Sequence, residues 1–123
     1  MGAYSIVWFD TLGIDGTEYV SSYVSKDHKI IVSSCAAGSI KVRPTGPNDQ
    51  YPPTLSSGLP SGFNITIDLG HKGTMDVQVA VGAIALSAPG DLYTEWVGTL
   101  TGSVNGGSEL SGVASLEMFK LTA

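Results

Sequence analysis

The stretch that decides the fold is Phe63-Asn64-Ile65-Thr66-Ile67-Asp68-Leu69, then Gly70-His71-Lys72-Gly73, then Thr74-Met75-Asp76-Val77-Gln78-Val79-Ala80-Val81, continuing to Ser87. Successive side chains of an extended chain point to opposite faces, so Phe63, Ile65, Ile67 and Leu69 share one face while Asn64, Thr66 and Asp68 share the other. Met75, Val77, Val79 and Val81 repeat the pattern after the turn. A period of two over both runs predicts two antiparallel strands joined by the Gly-His-Lys-Gly turn. Gly82 then breaks the phase, because Ile84 and Leu86 fall on even positions, and a one-residue slip at glycine predicts a β-bulge or a sheet-switching bend.

Working outward, turn chemistry cuts the rest of the chain into similar lengths. Toward the C-terminus, Ala88-Pro89-Gly90-Asp91 leads into a strand from Leu92 to Val104. Asn105-Gly106-Gly107 is the strongest hairpin signal in the chain, and Glu109 to Leu121 returns from it. Toward the N-terminus, Tyr4 to Leu12 and Thr17 to Ser25 flank Asp15-Gly16, a second hairpin signal. Lys29 to Cys35 and Ser39 to Arg43 flank Ala36-Ala37-Gly38. No stretch repeats apolar residues at helical spacing for three turns.

Between Pro44 and Gly62 lie five of the six prolines, and this segment cannot donate a regular ladder, so it is expected as a long loop within one domain spanning 1–123. The expectation is an all-β fold of about eight antiparallel strands, four on each side of that loop. A β-sandwich is favoured over a closed up-and-down barrel, because the loop can carry the chain between sheets.

Composition excludes several function classes. The 123 residues include six cations and eleven carboxylates, for a net charge of −5. Six scattered cations make no basic face for nucleic acid. The apolar run Val77 to Leu86 is too short to span a bilayer as a helix. Met1 to Ile6 lacks the charged and apolar regions of a secretory signal, so a cytoplasmic or particle-assembled location is expected. Cys35 follows the β-type run Ile30-Ile31-Val32 and reads as a buried reduced thiol with no disulfide partner.

Candidates for chemistry are sparse. His28 and His71 sit in turns without metal-ligand spacing, and no nucleophile elbow or phosphate-binding glycine loop is present. No cofactor is implied. Asp10 and Asp15, like Asp91 and Glu95, flank turns but lack the dense oxygen spacing of a calcium loop. Glu95 and Glu117 each lie within a strand, and pairing through the Asn105 hairpin would put them on one face, where outward charge protecting a sheet edge is the simpler role.

Two aromatic sets are candidate ligand-binding residues: Tyr93, Glu95 and Trp96 on one strand, and Tyr51 beside Asn48, Asp49 and Gln50 in the proline-rich loop. Core packing is the competing role for Trp96, and a ring stapled to the sheet is the competing role for Tyr51.

Low charge and strands with apolar residues on both faces point first to a non-enzymatic subunit of a symmetric assembly, a coat, decoration or tail-type protein whose partners are copies of itself or other subunits. The second reading is a lectin-like carbohydrate-binding module. The third is a small barrel that binds or cyclises an apolar molecule, using a carboxylate such as Glu95 or Glu117.

Overall fold

The computed structural model describes residues 1–121. Eight strands follow in chain order: β1 (Tyr4–Leu12), β2 (Glu18–Lys26), β3 (Lys29–Ser34), β4 (Ile40–Thr45), β5 (Gly62–Asp68), β6 (Thr74–Ser87), β7 (Tyr93–Val104) and β8 (Leu110–Phe119). Two single-turn 3-10 segments, Gly70–Lys72 and Pro89–Asp91, occupy turns. All pairings are antiparallel, and they form a three-stranded sheet in the order β1-β2-β3 and a five-stranded sheet in the order β4-β5-β6-β7-β8. The edge strands β1 and β8 each pair on one side only, so the molecule is an open sandwich and the closed barrel is set aside.

The expected four-and-four division is corrected to three and five. β4 does not pair with β3. It lies on β5 in the register Ile40↔Ile67 and Val42↔Ile65, and all four of these side chains are buried. That matched apolar face fixes the register of β4 on β5. The crossing between sheets therefore falls at the Ala36-Ala37-Gly38 turn, where Gly38 has a φ of 76° and Ser39 N–H donates to Ala36 O at 3.0 Å. The proline-rich loop is a long excursion between two hydrogen-bonded neighbours, β4 and β5.

The core is the alternation of β5 and β6 made solid. Ile65, Ile67, Leu69, Met75, Val77 and Val79 are buried, and Val24 of β2 with Trp96, Leu100, Leu116 and Met118 completes the apolar layer between the sheets. Gly62 permits close approach of two strands, because a Cβ there would run into the carbonyl oxygen of Val79. Beyond Val81 the register of β6 on β7 slips twice, where the Gly82 phase change predicts a bulge, and the side chains of residues 82–87 are exposed.

The three-stranded sheet has a different polarity. By strand parity, Tyr4, Ile6, Trp8, Asp10 and Leu12 of β1 face the other sheet together with Glu18, Val20, Ser22 and Val24 of β2, while Val7, Phe9, Tyr19 and Tyr23 face away. The inward face thus mixes core residues with the carboxylates Asp10 and Glu18, while the outward face also carries large apolar groups. This arrangement positions both surfaces considered below.

Candidate functional site

Asp10 and Glu18 meet because β1 and β2 are a hairpin. Leu12 opposes Glu18 and Asp10 opposes Val20, so the two carboxylates are diagonal neighbours on the inward face. β4 brings Arg43 across from the other sheet. Its guanidinium donates to both oxygens of Glu18, Nη1 to Oε1 at 2.8 Å and Nη2 to Oε2 at 2.9 Å, in the fork geometry that makes arginine–carboxylate pairs strong. Nη1 also donates to Val42 O at 2.7 Å and stands 3.6 Å from Asp10 Oδ2.

The proline-rich loop closes over this group. The Tyr51 hydroxyl donates to Asp10 Oδ1 at 3.1 Å, and the guanidinium carbon of Arg43 lies 3.9 Å from the centre of the Tyr51 ring, a cation–π stack.

These contacts treat the two carboxyl groups unequally. Arg43 is committed to Glu18, whose carboxyl is held down at about 2, chiefly by that bidentate hydrogen bond. The Asp10 side chain is only 11% exposed and its Oδ2 is buried with no hydrogen-bond partner. Burial pushes the Asp10 carboxyl up to about 6, against the lowering effect of the Tyr51 hydrogen bond, and the neighbouring Glu18 charge adds to the rise. Tyr51 is itself raised well above the ordinary phenol range by burial and by the Asp10 charge, so it stays a donor. The result is one ionised, arginine-locked carboxylate beside one carboxyl that exchanges its proton near neutral pH. Such a group can act as a general acid or base.

The other sequence candidates are dispersed. Asn48 closes the loop on itself, its Nδ2 donating to Leu59 O at 3.0 Å, while Asp49 and Gln50 are exposed. Trp96 is 1% exposed and packs edge-on against Phe63 with ring centres 6.2 Å apart, filling the core beneath β7, the role that competes with ligand contact for this residue. Tyr93 and Glu95 are on the opposite face of β7. Tyr93 leans on Phe119 with ring centres 4.8 Å apart, and its hydroxyl is raised by burial and by the nearby carboxylates of Glu117 and Glu95. Glu95 is directly opposite Glu117, the shared face expected from the Asn105 hairpin. No hydrogen bond or ring contact among the described residues joins Tyr51 to Tyr93, Glu95 or Trp96.

Cys35 is exposed, contrary to the expected buried thiol, because β3 ends one residue before it. Among the described residues no group of three His, Cys, Asp or Glu side chains is placed to hold a metal ion, and no helix is long and apolar enough to cross a membrane.

Asp10, Glu18 and Arg43 form a cluster that the sequence candidates do not assemble, Asp10 figuring there only as a carboxylate flanking a turn. A signal for the first two was present. Asp10 is in phase with Ile6 and Trp8, and Glu18 with Val20 and Val24, so both occupy positions that the alternation reserves for the core. Arg43 as their partner is not deducible, since it depends on which strand crosses to the facing sheet.

Comparison with known proteins gives a direction to this chemistry. The chain is 32% identical over 120 residues to the quinolone epoxide rearrangement protein penF of Penicillium thymicola, and 31% identical over 123 residues to the quinolone epoxide rearrangement protein asqO of Emericella nidulans. Each match covers 98% of this chain, which spans about a third of the length of these curated relatives: 33% of penF and 32% of asqO. No family model and no solved structure matches.

The likeness overturns the expected coat, decoration or tail-type subunit, together with the self-assembly partners and the lectin-like glycan reading, since both relatives are named for rearranging a small molecule. The first sheet is one of the doubly apolar elements that suggested a packed particle, with Ile6, Trp8, Val20 and Val24 turned in and Val7, Phe9, Tyr19 and Tyr23 turned out.

Proposed function

We propose that this chain takes part in the rearrangement of a small heteroaromatic epoxide, with Asp10 as the proton-carrying group. The observation that carries the reading is the likeness, along 98% of the chain, to two quinolone epoxide rearrangement proteins. The Asp10 cluster supports it on chemical grounds.

Opening an epoxide without a strong nucleophile needs a proton on the departing oxygen. A carboxyl with a pKa near 6 is half protonated at pH 6, whereas one at the ordinary aspartate value is almost fully ionised there. Asp10 gives its proton to the epoxide oxygen as the C–O bond breaks, a group or bond in the substrate migrates to the electron-deficient carbon, and the resulting carboxylate takes a proton back. The sequence of steps is an isomerisation, so atoms and electrons balance with no co-reactant.

Tyr51, donating to Oδ1, fixes the orientation of the carboxyl, and Arg43 at 3.6 Å stabilises the carboxylate left behind. Tyr51 and its loop cover the group, so admission of substrate requires the loop segment around Tyr51 to lift.

The test is conversion of a quinolone epoxide by the full protein, followed by liquid chromatography and mass spectrometry. Asp10→Asn should lose about 100-fold or more in rate, the range general-acid catalysis supplies. Tyr51→Phe should lose less. An Asp10→Asn protein that folds and converts substrate at the wild-type rate refutes the assignment.

A further inference from the structure

The outward face of the three-stranded sheet gathers large apolar side chains with no charge between them on β1 and β2. Val7 (50% exposed), Phe9 (66%), Tyr19 (59%) and Tyr23 (40%) stand on it together. Their outward neighbours by register are Ser5, Thr11, Ser21, Ser25 and Ser33, so no charged side chain from β1 or β2 reaches this face between Ser5 and Ser25. The outward face of the five-stranded sheet carries Asn64, Thr66, Asp76, Gln78 and Thr101, and its exposed Val97, Val113 and Phe119 share the face with Glu95 and Glu117. Scattered exposed apolar residues need no explanation, but a contiguous, charge-free aromatic group on one sheet marks a binding surface.

Register gives the surface a shape. Phe9 lies opposite Ser21, and Tyr19 and Tyr23 are the residues two before and two after Ser21 on β2. A small hydroxyl side chain therefore sits beside larger neighbours, which leaves a depression with serines on its floor and Phe9 and Tyr23 among its walls. The structure has a concavity of about 240 Å³ here, bounded by Val7, Phe9, Ser21, Tyr23, Ser33 and Cys35. That is below the roughly 300–1,000 Å³ of pockets that enclose a whole drug-sized ligand, and it suits one flat ring system lying partly open to solvent.

The wall groups supply stacking area, and Ser21 and Ser33 can each donate and accept a hydrogen bond. The complementary ligand is planar, aromatic and uncharged, with a donor and an acceptor side by side on one edge, as in a fused aromatic lactam.

We propose that this face is a stacking site for a fused aromatic lactam, held between Phe9 and Tyr23 with its amide edge on Ser21 and Ser33. The identity of the ring rests on the functional reading above, but the site does not rest on Asp10. Phe9 and Asp10 are adjacent in β1 and face opposite sides of the sheet, so the stacking site holds a ligand ring away from the proton-carrying carboxyl, outside the sandwich.

The test uses quinolin-2(1H)-one as probe, with amide chemical-shift mapping by NMR and calorimetry on the intact chain. Saturable binding is expected, with the largest shifts at Phe9, Ser21, Tyr23 and Ser33. Phe9→Ala and Tyr23→Ala should each weaken it about tenfold, in line with the loss of one stacking partner. Val113→Ala, an equally solvent-facing change on β8, should leave it unchanged. Naphthalene carboxamide, which lacks the ring amide, should bind more weakly than the lactam.

Absence of saturable binding at millimolar probe, shifts centred away from these four residues, or wild-type affinity in both alanine variants overturns the proposal. Asp10→Asn should bind the probe as the wild type does, so loss of turnover in that variant with binding retained separates the two assignments. An active Asp10→Asn protein would remove the acid role and leave the stacking site standing.

Discussion

Replacing Asp10 by Asn should flatten the dependence of stability on pH between about pH 4 and 7. In the unfolded chain this carboxyl titrates near its ordinary value of 3.8, and in the folded protein near 6. Between those values the folded state binds more protons than the unfolded one, so stability falls as pH rises through the window, and the whole penalty is present above the folded pKa. The rise from 3.8 to about 6 corresponds to about 3 kcal/mol if the surroundings stay fixed.

Relaxation of Tyr51 and its loop around the charge reduces this, and about 2 kcal/mol is the working figure. Glu18 acts in the opposite direction: its carboxyl is lowered from 4.5 to about 2, so its contribution is complete above pH 4.5 and is lost as pH falls through 2. The wild-type cluster is therefore most favourable near pH 4 to 5. Asn keeps the acceptor for the Tyr51 hydroxyl and cannot ionise.

Thermal unfolding followed by circular dichroism at pH 4, 5, 6, 7 and 8 should show the wild-type Tm dropping relative to the variant by roughly 5–10 °C from the lowest to the highest pH, given a few degrees per kcal/mol in a domain of this size. Parallel profiles for the two proteins would refute the claim that Asp10 is buried at a raised pKa.

Three further outcomes follow from contacts in the structure. Arg43→Lys should destabilise the protein by about 1–3 kcal/mol, measured by urea unfolding at pH 7, because a single ammonium cannot reproduce the fork on Glu18 or the stack on Tyr51. Unchanged stability would mean that the ion pair contributes nothing. Trp96→Ala should cost about 3–5 kcal/mol through the cavity it leaves in the core, with no change in affinity for a quinolone probe if the protein is kept folded at low temperature. Gly62→Ala should destabilise by about 2 kcal/mol or more, since the added methyl meets the Val79 carbonyl across the β5–β6 ladder and neither backbone can withdraw without loosening the sheet. A denaturation midpoint within error of wild type would refute that close approach.

Strand identity was legible from the alternation alone. β1 and β6 span the residues that the pattern and turn residues assign to them, and the other strands agree to within one or two residues at each end. The reason is physical: a period of two has one structural meaning when half the side chains are apolar, and Gly82 and Asn105-Gly106 have few alternatives to a phase shift and a tight turn.

Partnership was not legible in the same way. Whether β4 pairs back on β3 or forward on β5 is settled by a competition between strands distant in sequence. Its outcome set the three-and-five division and carried Arg43 over to Glu18 and Asp10. The alternation also marked Asp10 and Glu18 as core-phase carboxylates and Val7, Phe9, Tyr19 and Tyr23 as residues on the far side of the same strands. Only the tertiary structure decided that this far side faces solvent and that the near side faces the second sheet, because burial of a strand face is conferred by whatever packs on it and not by the strand itself.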